Sequence, residues 1–231
     1  MKEQWCIPTV GAEFVWRMED LLDLYAEPPD PKRPRVCCDE RPVQLIGETR
    51  VPLPPAPGQP ARYDYEYERK GTANLFVHFS PDVPDGQGGY GGWHHVAATE
   101  RRTKHDFAHQ MQALVDDLFP DADMLRLVVD NLNTHTPAAL YEAFPPEEAR
   151  RIASKLEFHY TPKHGSWLNM AELEISVLSR QCLDQRLDSL PALAHAVAAW
   201  EAPRNATHAT IHWRFTTTDA RTKLSRLYPS L

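Results

Sequence analysis

The sequence is poor in cysteine, has no long apolar run and carries no surplus of basic residues. Four cysteines occur among 231 residues, two of them adjacent, and no Cys-x-x-Cys pair is present. This pattern argues against a zinc ribbon or a disulfide scaffold and favours a reducing compartment. No apolar run approaches the roughly 18 residues of a membrane span, and residues 2–13 lack the apolar centre of a signal peptide. We therefore expect a cytoplasmic protein with no membrane partner.

The charge balance is acidic, with 25 Lys and Arg against 32 Asp and Glu and a net charge of -7. Proteins that grip duplex DNA unaided usually carry a basic surplus to neutralise phosphates. An acidic domain can still act on DNA if its carboxylates hold divalent cations. Such a domain is expected to borrow affinity from another domain or subunit.

Glycine is also scarce, with ten residues, several of them within residues 86–92. No Gly-Lys-Ser/Thr follows this stretch, which excludes a phosphate-binding P-loop and leaves a loop or hairpin tip. The adjacent His94 and His95 have no spaced partner pair, so we interpret them as part of a surface loop and not as a metal site.

Hydrophobic periodicity predicts a mixed α/β domain. Apolar residues spaced three and four apart predict a helix over residues 12–26, and the prolines that follow suggest that residues 1–34 form a helical linker ahead of a domain at 35–231. A short buried strand is expected at 36–39, and a proline soon follows it. The other predicted strands are 62–69 with 73–79 as its antiparallel neighbour, 124–129 and 156–160; the other predicted helices are 105–118, 138–144, 167–182 and 190–200.

Two of these strands end in aspartates, Asp39 and Asp130, and Glu172 lies on a later helix. Ligands of open α/β sheets bind outside the carboxyl ends of strands, so the two aspartates meet if their strands are neighbours. Convergent carboxylates repel one another unless cations neutralise them, and Mg²⁺ prefers oxygen ligands. Two ions about 3.5–4 Å apart suit phosphodiester cleavage. By spacing alone this triplet is one among many.

Periodicity leaves some assignments open. Glu172 and Glu174 flank the apolar stripe of the same predicted helix on opposite sides, and the pattern does not choose between them. Asn169-x-x-Glu172 would also serve as a capping box at a helix start. Glu40 is the rival of Asp39, but its side chain on a strand points to the opposite face.

A longer pattern is more specific. Residues 130–135 read Asp-Asn-Leu-Asn-Thr-His, and residues 160–172 read Tyr-Thr-Pro-Lys-His-Gly-Ser-Trp-Leu-Asn-Met-Ala-Glu. Together with residues 62–67 and 213–217, these segments resemble the mariner-related bacterial transposases of the insertion-sequence six-thirty family.

The resemblance implies a ribonuclease-H-like fold, a mixed sheet flanked by helices, and a metal-dependent enzyme that cleaves and joins DNA. It assigns the catalytic and metal-ligating acids to Asp39, Asp130 and Glu172, with two Mg²⁺ or Mn²⁺ ions. The match to the run Trp-Leu-Asn-x-x-Glu is what favours Glu172 over Glu174.

Polar residues around the second and third acids are candidate DNA contacts. A positive charge could hold a phosphate and Trp167 could stack on an unpaired base, although Trp167 could equally pack in the core. His135 could orient a phosphate or bond the backbone at a helix start. The candidates are Lys163, His164, Trp167, Asn169 and His135. A small basic cluster at Arg101, Arg102 and Lys104 is more typical of a solvated surface.

The resemblance also implies a helix-turn-helix reader of transposon ends ahead of the catalytic domain. Residues 2–5 resemble the segment that joins the two, so we expect the reader to be absent. The expected partners are DNA (transposon ends and target) and either a second copy, as a homodimer on DNA, or a subunit that carries the reader. Two alternatives remain: an inert remnant that only pairs with transposase subunits, and a ribonuclease-H-like nuclease for structured DNA.

Overall fold

A computed structural model describes residues 11–229. The strands are β1 (Arg35–Glu48), β2 (Tyr67–Pro84), β3 (Tyr90–Thr99), β4 (Leu125–Val129) and β5 (Leu156–Tyr160). The α-helices are α1 (Ala12–Ala26), α2 (Lys104–Ala113), α3 (Ala138–Ala143), α4 (Pro146–Ala153), α5 (Met170–Gln181), α6 (Leu190–Ala206) and α7 (Thr217–Lys223). None of the helices in this range is long and apolar enough to cross a membrane.

The five strands form one sheet in the order β3-β2-β1-β4-β5. The first three pair antiparallel, whereas β1 pairs parallel with β4 and β4 pairs parallel with β5. The predicted mixed α/β architecture is therefore confirmed. The change from antiparallel to parallel pairing occurs at β1, the strand that carries the first candidate acid.

Helices cover both faces of the sheet. On the first face, Val36 and Cys38 of β1 pack with α2, α3 and α4 in one apolar cluster. On the second face, Cys37 packs with α1, α7 and the start of α5, and the rest of α5 joins α6 in a neighbouring cluster. The alternation along β1 follows the period of two of a strand, so residues 37 and 39 face the second layer.

The helix predicted at residues 12–26 is confirmed and is an integral part of the second layer. Met18 and Leu21 are fully buried there, and Tyr25 donates a hydrogen bond to the carbonyl oxygen of Leu168 at 2.7 Å. The predicted boundary at residue 34 coincides with the start of β1, but α1 packs on the sheet and does not stand apart from it.

The first strand is much longer than predicted. It continues past Asp39 to Glu48, and Pro42 pairs with Asn74 of β2. Pairing with β4 ends at Cys37, so the other edge of β1 beyond that point pairs with no strand among residues 11–229. Proline, which has no N–H to donate, is tolerated on such an unpaired edge.

The predicted pairing of residues 62–69 with 73–79 is wrong, because residues 67–69 and all of 73–79 belong to the single strand β2. Gly71 has a φ of +107°, and the register with β1 shifts there, so Lys70 is the extra residue of a β-bulge. Tyr63 and Tyr65 precede the strand and are exposed.

The surface loop predicted for His94 and His95 is also wrong, because both lie within β3 and His94 is buried. The strands predicted at 124–129 and 156–160 are confirmed as β4 and β5. The helix predicted over 105–118 is α2 followed by a π-helical turn at Leu114–Leu118. α4 and α7 were not predicted.

Candidate functional site

The sheet register brings Asp39 and Asp130 to one edge of the parallel region. Cys37 of β1 lies opposite Val128 of β4, and each aspartate follows its partner residue by two positions. Asp130 comes directly after β4, where the chain leaves the sheet. The predicted meeting of these two carboxylates therefore follows from the parallel pairing of neighbouring strands.

Glu172 approaches from the second face in the first turn of α5. Asn169 is the N-cap of this helix, and its side-chain oxygen accepts a hydrogen bond from the backbone N–H of Ala171 at 3.1 Å. Its side-chain nitrogen donates to the carbonyl oxygen of Cys38 at 2.9 Å and lies 3.5 Å from Oδ2 of Asp39. The cap thus ties the start of α5, and with it Glu172, to the strand that carries Asp39.

The charges of the other two acids act on Asp39. Burial raises the pKa of Asp39 to about 7, a hydrogen bond from the backbone N–H of Glu40 opposes this, and the negative charges of Glu172 and Asp130 raise the pKa further. Asp39 is thus held close to half-protonated at neutral pH in the metal-free protein. A carboxylate in this state gains from any cation that joins the group.

The donor set fits a hard divalent cation in chemistry, since it consists of carboxylate oxygens. Within residues 11–229, however, no three His, Cys, Asp or Glu side chains are already gathered in an arrangement that could hold an ion. Asp130 in particular is engaged by its neighbour His135.

His135 lies between two carboxylates. Its Nδ1 contacts Oδ1 of Asp130, and its Nε2 lies 2.8 Å from Oε1 of Glu40. Burial alone would lower the pKa of His135, but hydrogen bonds to Asp130 and Glu40 and the attraction of both charges raise it to about 9. His135 is therefore an imidazolium at neutral pH, and Glu40 is one of its two counterions. The pattern of the sequence gave no sign of this pair.

Glu174, the rival of Glu172, lies in a different environment. It is 2% exposed, and its Oε2 lies 2.6 Å from a guanidinium nitrogen of Arg204 on α6 and 3.1 Å from Nε2 of His94 on β3. Asn205, next to Arg204, bonds both the backbone and the ring of His94. Glu174 is thus paired within the protein, whereas Glu172 has no cationic partner among residues 11–229 and its charge raises the pKa of Asp39.

The family follows from comparison with known proteins. A family model described as DDE superfamily endonuclease matches residues 34–194. The chain belongs to this family. The matched part of the DDE chain includes β1, β4 and α5, which position the three acids. No curated protein sequence matches the chain significantly.

Solved structures share the fold of this DDE domain. The Mos1 mariner paired-end complex with Mn aligns at a TM-score of 0.56 and 16% identity, over 98% of this chain and 65% of that one. The Mos1 strand transfer complex aligns at 0.58 and 15%, over 98% and 64%. A pre-cleavage Mos1 transpososome aligns at 0.57 and 16%, over 100% and 67%. The chain thus spans about two thirds of the length of these transposases, and the predicted ribonuclease-H-like fold is confirmed.

The five predicted DNA contacts of the DDE domain divide into two groups. Lys163 and His164 are exposed in a tight turn in which His164 has a φ of +66°, and Trp167 is 44% exposed and not a core residue. Asn169 and His135 are buried at 1% and 2% exposure, with their polar atoms bonded inside the protein. Asn169 and His135 therefore have the geometry of positioning groups and not of DNA contacts.

The capping-box interpretation of Asn169 and Glu172 holds in part. Asn169 does cap α5, but no reciprocal hydrogen bond from the Glu172 side chain to the Asn169 backbone N–H is found in the described part of the chain. The Glu172 carboxylate is therefore not engaged in capping the helix.

Proposed function

We propose that this chain is the catalytic domain of a transposase of the six-thirty, mariner-related kind, which cleaves DNA and transfers strands with the help of divalent metal ions. Asp39, Asp130 and Glu172 are the proposed metal ligands and catalytic acids. The observation that supports this most directly is the raised pKa of Asp39, to which both other acids contribute. Membership of the DDE endonucleases points to the same reaction class.

The proposed cofactor is Mg²⁺ or Mn²⁺, and two ions would supply charge stabilisation at the attacking and leaving oxygens of the phosphodiester. Mos1 complexes with Mn and with Mg have the same fold. The residues of this chain would hold the ions and orient them. Asn169 links Asp39 to the start of the helix that carries Glu172. Glu40 holds His135, and His135 in turn contacts Asp130.

The proposed partner is DNA, since the Mos1 structures include complexes with transposon ends. The acidic net charge implies that a subunit or segment with a DNA-reading domain supplies much of the affinity. We also propose a pair of chains on DNA, because cutting and joining involve two transposon ends.

Isothermal titration with Mn²⁺, together with nicking of supercoiled plasmid, tests the proposal. Asp130→Ala is expected to abolish Mn²⁺-dependent nicking and to weaken Mn²⁺ binding, with an unchanged circular dichroism spectrum. Glu172→Gln is expected to behave in the same way. Glu147→Gln is the matched control, because Glu147 is an exposed helical glutamate on α4, on the first face of the sheet.

Undiminished nicking by Asp130→Ala would refute the triad. A wild-type protein that binds no Mn²⁺ would indicate an inert remnant. Cleavage of branched DNA without cleavage of inverted-repeat ends would indicate a structure-specific nuclease.

A further inference from the structure

The C-terminal part of the chain differs in charge from the rest. Residues 203–231 carry five basic side chains and one acidic one, whereas the preceding 202 residues carry 20 and 31. Three of the five arginines and lysines are paired with acids: Arg204 with the buried Glu174, Arg221 with Glu19 of α1, and Lys223 with Asp219 of its own helix.

Between α6 and α7 the chain runs without helix or strand, and its side chains alternate. Ile211, Trp213 and Phe215 are partly buried against the second apolar cluster. His212 and Arg214 lie between them and are exposed. Arg214 has no carboxylate partner within residues 11–229. The segment therefore has an apolar side that packs on the protein and a side with His212 and Arg214 that faces solvent.

The backbone of this segment adds donors. The N–H groups of residues 211–215 bond to no acceptor in the described part of the molecule. Backbone N–H groups, arginines and lysines are the donors that proteins most often direct to DNA phosphates.

The side that faces solvent is continuous with the turn before Glu172. The ring of Phe215 meets that of Trp167 at 6.0 Å between centroids, and Nζ of Lys223 lies 5.6 Å from the centre of the Phe215 ring. Trp167 follows the exposed Lys163 by four residues and precedes Asn169, the neighbour of Asp39, by two. We define the outer strip as Lys163, Trp167, His212 and Arg214.

We propose that the outer strip is a docking surface for a DNA strand that leads into the carboxylate site. Arg214 and Lys163 would neutralise phosphates, and the exposed indole of Trp167 would stack on a base at the strand end. A cluster of three acids repels phosphate, so cations beside it are needed to hold the substrate. This inference rests on the proposed function, because it takes DNA as the substrate of that site.

Fluorescence anisotropy with a labelled duplex that has a single-stranded 3′ extension tests the strip. The measurements use the full chain in EDTA, where no metal-dependent cleavage occurs, at several salt concentrations. Arg214→Ala is expected to weaken binding about three- to tenfold and to reduce the slope of log K against log salt by about 1. Lys163→Ala is expected to do the same.

Trp167→Ala is expected to weaken binding about fivefold or more for the extended duplex, and less for a blunt one. Arg150→Ala is the matched control, an exposed arginine of α4 on the opposite face of the sheet with no ion pair among residues 11–229. It is expected to leave the affinity and the slope unchanged.

The inference is overturned if Arg214→Ala and Arg150→Ala give equal affinities and slopes. It is also overturned if the wild-type chain shows no salt-dependent DNA binding, or if Arg214→Ala alters only self-association. A strip that behaves as expected, in a protein that never nicks DNA with Mn²⁺, would instead count against the proposed function alone.

Discussion

Two glutamates two residues apart on α5 have opposite surroundings. Glu174 is buried, paired with Arg204 and in contact with His94, while the charge of Glu172 acts on Asp39. In a buried ion pair each charge is compensated by the other. Repulsion within a cluster of carboxylates destabilises the fold, so the cluster is not there for stability. The difference separates the carboxylate that holds the helix in place from the carboxylate available for chemistry.

The largest effect on stability is expected at Glu174. Glu174→Ala leaves the partly buried Arg204 without its carboxylate partner and is expected to lower the free energy of unfolding by about 3 kcal/mol. Glu172→Ala is expected to change it by less than about 1 kcal/mol, because Glu172 has no cationic partner among residues 11–229 to lose. Urea denaturation followed by circular dichroism measures both. Equal losses for the two variants would remove the distinction between them.

Asp39→Asn is expected to stabilise the metal-free protein. The pKa of Asp39 is raised from 3.8 to about 7, so between these values the folded state holds a proton that the unfolded state has lost. Stability therefore falls as the pH rises through this window, and the penalty is fully present above pH 7. We expect a gain of roughly 1–3 kcal/mol for Asp39→Asn at pH 8.

Thermal unfolding in EDTA at pH 3.5 and pH 8 provides the measurement. The gain should be absent at the lower pH, and Mn²⁺ should stabilise the wild type more than the variant. A variant that is less stable than the wild type at pH 8 would show that Asp39 is not repelled by its neighbours.

His135 should affect stability in a higher pH window than Asp39. For His135 the charged form stabilises the fold, whereas for Asp39 the charged form destabilises it. Its pKa is raised to about 9, so its contribution is fully present below about pH 6.5 and is lost as the pH rises through 9. Glu40→Gln removes one counterion and is expected to reduce this contribution by roughly 1–2 kcal/mol. Urea midpoints between pH 6 and pH 10 should then vary less in the variant. An unchanged profile would mean that Glu40 does not hold the imidazolium.

Much of the parallel half of the fold could be predicted from the sequence. Residues 124–129 are a nearly all-apolar run that ends at Asp130, and residues 156–160 alternate apolar and polar side chains before Thr161 and Pro162; both segments form the expected strands. Asp130 could be placed because it directly follows such a run. The assignment of Glu172 depended on resemblance, since the helical period puts both glutamates beside the apolar stripe.

The antiparallel half was predicted less well, for physical reasons. A bulge at Gly71 accommodates the extra residue Lys70 without ending β2, and an unpaired edge admits Pro42 into β1. In a sequence, Gly71 and Pro42 both look like the end of a strand. His94 was placed on a loop because its partners, Glu174 and Arg204, are 80 or more positions away along the chain and leave no local signal.

The register of β1 decides which face of the sheet each of its two acids occupies. Asp39 faces the second layer with Glu172, and its neighbour Glu40 faces the first layer, where His135 holds it. Successive strand residues point to opposite faces, so a slip of one position would exchange them. Deleting a single residue from 36–38 is expected to turn Glu40, the counterion of His135, toward the proposed metal site and Asp39 toward the first layer. Such a deletion would keep both carboxylates in the strand and still exchange the faces they occupy.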